Sequence, residues 1–266
     1  MIKAVIFDID GTLIDSVDLH AESWSRAFEH FGMHADAGAI RGQIGKAAHA
    51  LIKSFASDMP EDRMRKIEQF RSELFIRDYL DRVRGFPRVP DLFRLIRSRG
   101  QRTALASSCK ESEIGRYMEI AGITGLVDAR ATSDDADCSK PAPDIFQACC
   151  SRLSGIGAAE AVVVGDSSYD AEAALRAGMI AVGLLCGAAT EQELREAGCV
   201  AIYRDPEDLL RQYDQSPLCT GRQQKRELPS AGPHARPSLM NPELTPGSGA
   251  LPPVGDDGDG NVQPTS

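Results

Sequence analysis

Five short, mainly apolar runs, at residues 3–7, 102–106, 161–164, 180–183 and 200–202, show no helical period and are bounded by polar or glycine-containing stretches. Between them, apolar positions recur at helical spacing over 89–99, 111–121, 144–153, 169–177 and 191–197. Gly100, Gly122 and Gly178 fall where those helices should stop. Short buried strands alternating with helices predict βαβ units, and so an α/β fold with a parallel, helix-covered sheet. The interval 15–85 breaks this alternation. Helical periodicity covers 19–31 and 61–83 without a convincing strand, which reads as a second, smaller all-helical domain inserted after the first strand. Gly85-Phe86-Pro87 is its expected return linker.

Composition changes the picture at one end. From 214 to 266 there is no Phe, Trp or Tyr, while nine of the 15 prolines lie there, so this stretch cannot bury enough apolar surface to offset chain entropy and is expected to be a disordered tail. Asp257, Asp259 and Asn261 inside it have calcium-loop spacing, but Val262 stands where a glycine is needed and no twelfth-position Glu follows. Over the whole chain of 266 residues, 30 Lys and Arg face 39 Asp and Glu, a formal charge of −9 that argues against a general nucleic-acid binder. No apolar run approaches the roughly 20 residues of a bilayer crossing, and the charged start MIKAVIFDID is not a secretory signal. The seven cysteines lack framework spacing, with Cys149-Cys150 read as small core residues of a helix. A cytoplasmic protein with reduced thiols is the expectation, a monomer or dimer with no membrane partner.

In open α/β sheets, ligands bind beyond the carboxyl ends of the strands. The residues found there are Asp8-Ile9-Asp10-Gly11-Thr12 after the first run, Ser107-Ser108 after the second, and Gly165-Asp166-Ser167-Ser168-Tyr169-Asp170 after the third, with Ser139-Lys140-Pro141 between the last two. Each piece alone is a common loop sequence; four on one rim are not. Asp8, Asp10 and Asp166 brought together would repel strongly, and oxygen donors without His or Cys suit a hard cation such as Mg²⁺. One lysine and a serine hydroxyl beside them fit an anionic, oxygen-rich substrate, with a phosphoryl group as the leading candidate.

DIDGTLIDS, ALASS, SKPAPDIF and VVVGDSSYDAEAALRAG resemble, in order, the four motifs of the haloacid dehalogenase superfamily, and together they span roughly 1–213. The helical insertion resembles that of the subgroup containing phosphoglycolate phosphatases and β-phosphoglucomutases. The resemblance implies a Rossmann-like catalytic core of residues 1–14 and 86–213, a helical cap of residues 15–85, and a Mg²⁺-dependent phosphatase acting on a small phosphorylated metabolite through an aspartyl-phosphate. It casts Asp8 as nucleophile, Asp10 as general acid and base, Ser107 and the Ser108 N–H as holders of the transferring oxygens, and Lys140 as the neutralising cation. Mg²⁺ would be held by Asp8, the Asp10 carbonyl and Asp166, with Asp170 orienting a water or Lys140. The dehalogenases that name the superfamily lack an acid at the position of Asp10, because a departing halide needs no proton; its presence points to phosphate esters.

In the cap, His20 and Trp24 lie one turn apart in an arrangement resembling the mutase pattern, or else they pack in the cap's own core. Arg41 and Lys46 flank a glycine-containing segment and are candidate specificity residues, or a solvated basic edge; Lys110 could reach the phosphate or begin a helix. Two rival functions stand beside hydrolysis: a phosphosugar mutase, and a non-catalytic scaffold working through its proline-rich tail. The mutases usually carry an acid where this chain has Gly165, which favours hydrolysis over the first rival.

Overall fold

The runs AVIF and AVVVG are buried at every position, which requires cover on both faces of the sheet they form. In the computed structural model, which describes residues 1–220, they receive it. The chain opens with β1 (Ala4–Phe7) and a two-residue strand β2 (Ile14–Asp15). Four helices follow, α1 (Val17–His30), α2 (Ala37–Arg41), α3 (Ala48–Phe55) and α4 (Glu61–Asp78), before β3 (Arg84–Gly85) pairs antiparallel with β2. The remainder alternates: α5 (Val89–Ser98), β4 (Arg102–Ala106), α6 (Glu111–Ile120), β5 (Ala129–Ala131), α7 (Asp144–Ser151), β6 (Ala161–Gly165), α8 (Ser168–Arg176), β7 (Ile180–Leu184), α9 (Glu191–Glu196) and β8 (Ala201–Tyr203), then α10 (Pro206–Arg211) and α11 (Pro217–Thr220). The six-stranded sheet has the order β5-β4-β1-β6-β7-β8, and all its pairings are parallel.

Alternation along β1 decides what each face buries. Val5 and Phe7 pack with Leu92, Phe93 and Ile96 of α5, Tyr117 of α6 and Leu209 of α10. Ala4 and Ile6 pack with Phe146 of α7 and the alanines Ala171, Ala173 and Ala174 of α8, whose small side chains let that helix lie close to the sheet. The inserted helices hold a core of their own, in which Trp24 and Phe28 of α1 meet Ile40, Leu51, Ile52, Met64 and Ile67. Among the described residues no helix is long and apolar enough to cross a membrane.

Four expectations from the sequence need correction. The edge strand β5 was not foreseen, because three residues with an exposed Arg130 in the middle carry no apolar run. Helices α2 and α3 are too short to show a period, and the insertion is bounded by the strands β2 and β3 where none was expected. Helix α4 stops at Asp78 rather than reaching 83, giving way to a 3-10 turn at Leu80–Arg82. The expected tail begins too early: Asp214 pairs with Arg99 at 2.8 Å, Leu218 is fully buried, and Gln101 Nε2 donates to the Leu218 carbonyl at 2.7 Å. The rest of the predicted tail, with its acidic Asp257–Asn261 stretch, lies outside the described residues.

Candidate active site

Register sets the floor of the site. Phe7 lies opposite Leu105 of β4 and Val164 of β6, so the three central strands end side by side, with Ser107 and Asp166 released one residue beyond the level of Asp8. All three are buried. Lys140, also buried, reaches across from the segment before α7: its Nζ lies 2.5 Å from Asp8 Oδ1, 2.8 Å from Asp170 Oδ1 and 3.0 Å from the Ala106 carbonyl, to which it donates. The first turn of α8 supplies Asp170, whose Oδ2 accepts from the Ser167 hydroxyl at 2.6 Å and from the Ser167 N–H in a capping box.

Asp166 is held at both oxygens. Thr12 Oγ1 donates to Oδ1 at 2.8 Å, and the Ala188 N–H donates to Oδ2 at 2.8 Å. Two glycines make room for it. Gly11 turns the chain at φ +80, and a Cβ on Gly11 would lie 2.5 Å from Asp166 Oδ2. A Cβ on Gly187 would lie 1.8 Å from the same atom, closer than any side chain tolerates.

Oxygens of Asp8, Asp166 and Asp170 fall within 4.8 Å of one another. Among the described residues Lys140 is the one cation in contact with them, so two of the three negative charges stay uncompensated in a buried site. Burial, then repulsion from Asp170, raises the Asp166 carboxyl to about 7. Burial likewise raises Asp8 well above the usual carboxylate range, against the pull of Lys140. Burial opposes the charge on Lys140, but Asp170 and Asp8 more than reverse this and keep it cationic. An all-oxygen set with an excess of negative charge fits a hard divalent cation.

Asp10 turns the other way. Its Oδ1 accepts from the Ser16 hydroxyl at 2.7 Å and lies 2.8 Å from His20 Nε2. Burial works against ionisation, but His20 and Ser16 outweigh it and hold the carboxyl below its usual range. Arg71 of α4 contacts His20 Nδ1 through Nη2. A guanidinium can only donate, so Nδ1 is the acceptor and the ring proton sits on Nε2, facing Asp10. Phe75, four residues after Arg71 on the same face of α4, stacks on the imidazole at 4.1 Å. Burial, opposed by Asp10, lowers the affinity of His20 for a second proton.

Above this floor lies a cavity of about 480 Å³, lined by Asp8, Asp10, His20, Trp24 and Arg71, with Lys46, Lys53, Glu68, Lys110 and Glu113 around its walls. Lys46 lines it while bonding Gln43 and Ser54 and lying over the Tyr169 ring. Lys110 pairs with Glu68 at 2.9 Å, joining core to insertion. The Ser108 hydroxyl donates to the Gly45 carbonyl at 2.9 Å, and the Ser107 Oγ accepts from the Cys109 N–H. Arg41 is not among the cavity's lining residues; its guanidinium docks on main-chain carbonyls of residues 187 and 188. Thr12, Ser16 and Arg71 join the site without any expectation from the sequence. Arg71 carried a signal: it is a charged residue at the place where the apolar period of α4, running through Met64, Ile67, Leu74 and Phe75, calls for an apolar one.

Residues 2–178 match the family model described as a haloacid dehalogenase-like hydrolase. The chain is 31% identical over 186 residues to the fructose-1-phosphate phosphatase YqaB of Escherichia coli, covering 67% of this chain and 94% of that protein. It is 28% identical over 192 residues to the validoxylamine A 7'-phosphate phosphatase of Streptomyces hygroscopicus, covering 69% and 86%. Among solved structures, a hydrolase from Pseudomonas syringae superimposes with a TM-score of 0.76 at 26% identity, covering 81% of this chain and 99% of that one. The chain belongs to the haloacid dehalogenase-like hydrolase family.

Proposed function

We propose that the protein is a Mg²⁺-dependent phosphatase of a small phosphate monoester, phosphoglycolate- or sugar-phosphate-like, working through an aspartyl-phosphate on Asp8. The observation that carries this reading is the pair of carboxylates on one cavity floor in opposite settings. Asp8 is pinned by Lys140 among like charges, and Asp10 is held by a protonated ring nitrogen and a hydroxyl. Lys140 occupies Asp8 Oδ1, so Oδ2 attacks phosphorus in line while the bond to the ester oxygen breaks. Asp10 enters the step protonated and gives the leaving oxygen that proton; the carboxylate left behind is held by hydrogen bonds from His20 Nε2–H and the Ser16 hydroxyl. In the second step Asp10 takes a proton from water as the water attacks phosphorus, releasing orthophosphate and restoring the Asp8 carboxylate. Ser107, released from the strand paired with the one that carries Asp8, and the Ser108 N–H would hold the transferring oxygens. Oxygens of Asp8 and Asp166 and the Asp10 main-chain carbonyl would hold the cation, with Asp170 keeping Lys140 in place; bound there, it offsets the charge that builds up on the phosphoryl group.

Both relatives named above are phosphatases, which supports hydrolysis. So does Gly165: a Cβ there would lie 2.5 Å from Asp170 Cβ, so an acid of the mutase type and Asp170 in its present place exclude one another. With Mg²⁺ and a panel of phosphate monoesters, the purified protein is expected to release orthophosphate, and chelation is expected to stop it. No release from any ester would sink the reading.

The raised carboxyls make a second, independent expectation. Asp8 and Asp166 are easier to protonate in the fold than in the unfolded chain. The stability they contribute without a cation is therefore complete below the ordinary carboxylate value near 3.8, and is lost as pH climbs towards the folded value of about 7 for Asp166. A cation bound at 100 times its dissociation constant adds about 2.7 kcal/mol. Saturating Mg²⁺ should thus raise the melting temperature by about 5 °C or more at pH 8, and by less than half as much at pH 5.5. Equal shifts at both pH values, or none, would count against a cation among these acids.

A further inference from the structure

The loop after β7 contacts both the insertion and Asp166 through two successive peptide units, of which the first reaches the Asp166 carboxylate and the second, through the Ala189 N–H, its main-chain carbonyl. Arg41, at the end of α2, donates from Nη2 to the Gly187 carbonyl at 2.7 Å and from Nη1 to the Ala188 carbonyl at 2.9 Å. The Gly187 carbonyl and the Ala188 N–H belong to the same peptide plane, and that N–H is the donor to Asp166 Oδ2. The loop is thereby fixed at both ends of one peptide dipole. A guanidinium on its oxygen polarises the unit and strengthens its N–H as a donor. The absence of a side chain at Gly187 lets this peptide lie against the carboxylate.

Arg41 is itself aimed. Its Nε donates to Asp18 Oδ1 on α1 at 2.8 Å, so the planar fork faces the loop with its remaining two nitrogens. Two neighbouring contacts bring the same part of the insertion onto the core rim: the Tyr169 hydroxyl donates to the Gly42 carbonyl at 3.0 Å, and the Ser108 hydroxyl to the Gly45 carbonyl. All three contacts are made to main-chain carbonyls, and only the one through Arg41 continues to a cation-holding residue.

We infer that Arg41 is a positioning residue for the metal site: docking of the insertion on the Gly187–Ala188 peptide orients the N–H that fixes Asp166, so that cation affinity depends on the insertion being in place. This rests on Asp166 being a cation ligand, as proposed above. Groups behind a metal ligand commonly change affinity by about 10- to 100-fold when removed. The effect here travels through main-chain peptides rather than by direct contact with the ligand, so the lower end is expected.

The test is titration calorimetry of Mg²⁺ into the full-length, substrate-free protein, comparing the unsubstituted chain with Arg41→Ala and Arg41→Gln, alongside melting temperatures in chelator. Arg41→Ala should weaken Mg²⁺ binding about tenfold, and Arg41→Gln, which keeps one donor, by less. Neither should lower the metal-free melting temperature, since the Arg41 side chain is 39% exposed and outside the apolar core. Affinity within twofold of the unsubstituted protein for Arg41→Ala would overturn the inference while leaving the phosphatase reading intact. So would a loss accompanied by a fall in metal-free melting temperature, because Arg41 would then support the fold. If the unsubstituted protein bound no Mg²⁺, the cation reading would fail first and this inference with it.

Discussion

Replacing Asp8 by Asn is expected to reduce turnover of any phosphate ester by about 10⁴- to 10⁶-fold, the scale on which loss of a covalent nucleophile is felt. The amide keeps the size and polarity of the carboxylate but has no charge with which to attack phosphorus. What sets this substitution apart is its expected effect on stability. Lys140 keeps Asp170 as an ion-pair partner at 2.8 Å, and the repulsion that Asp170 and Asp166 exert on a charged Asp8 disappears. The metal-free variant should melt at the same temperature as the unsubstituted protein or higher. Loss of activity with undiminished stability is the pattern of a group retained for chemistry at a cost in stability. Turnover within tenfold of the unsubstituted enzyme would remove Asp8 from the reaction.

Asp10→Asn should separate the two half-reactions. An alkyl phosphate leaves poorly without a proton, and general acid help of this type is worth about 10²- to 10⁴-fold, so turnover of a sugar phosphate should fall by that much. 4-Nitrophenyl phosphate has a leaving group that needs no proton, and its first step should lose about tenfold or less. The second step still requires a base to activate water. With that base gone, nitrophenolate should appear in a burst of one equivalent per protein, followed by a slow phase, as the aspartyl-phosphate accumulates. Equal losses on alkyl and aryl esters without a burst would mean that Asp10 only holds the site together.

Much of this site could be read from the chain because its chemistry follows buried strands directly. AVIF and AVVVG declare themselves by being apolar throughout, and Asp8 and Asp166 sit one residue beyond their ends. What could not be read is what holds those residues. Arg71 is 51 positions from His20, and only the packing of α4 on α1 makes them neighbours. Arg41 shows its basic charge, but its acceptors are main-chain carbonyls, which every residue has and which no sequence pattern marks. The boundary near 214 failed for a related reason. Composition reports how much apolar surface a stretch can bury on average, while a single Leu218 with a Gln101 donor to its carbonyl is enough to keep a short segment on the core.

The chain leaves the sheet and returns to it through two short strands that pair with each other, Ile14 opposite Gly85 and Asp15 opposite Arg84. Exit and entry are therefore neighbours whatever happens between them. Lengthening, trimming or exchanging the intervening helices disturbs no register of the six parallel strands, while every such change reshapes the ceiling over the same carboxylates. An architecture of this kind can diversify its choice of substrate by transplanting one continuous stretch of chain while Asp8, Lys140 and Asp166 stay in place, so long as the new stretch still supplies groups that do the work of His20, Arg71 and Arg41.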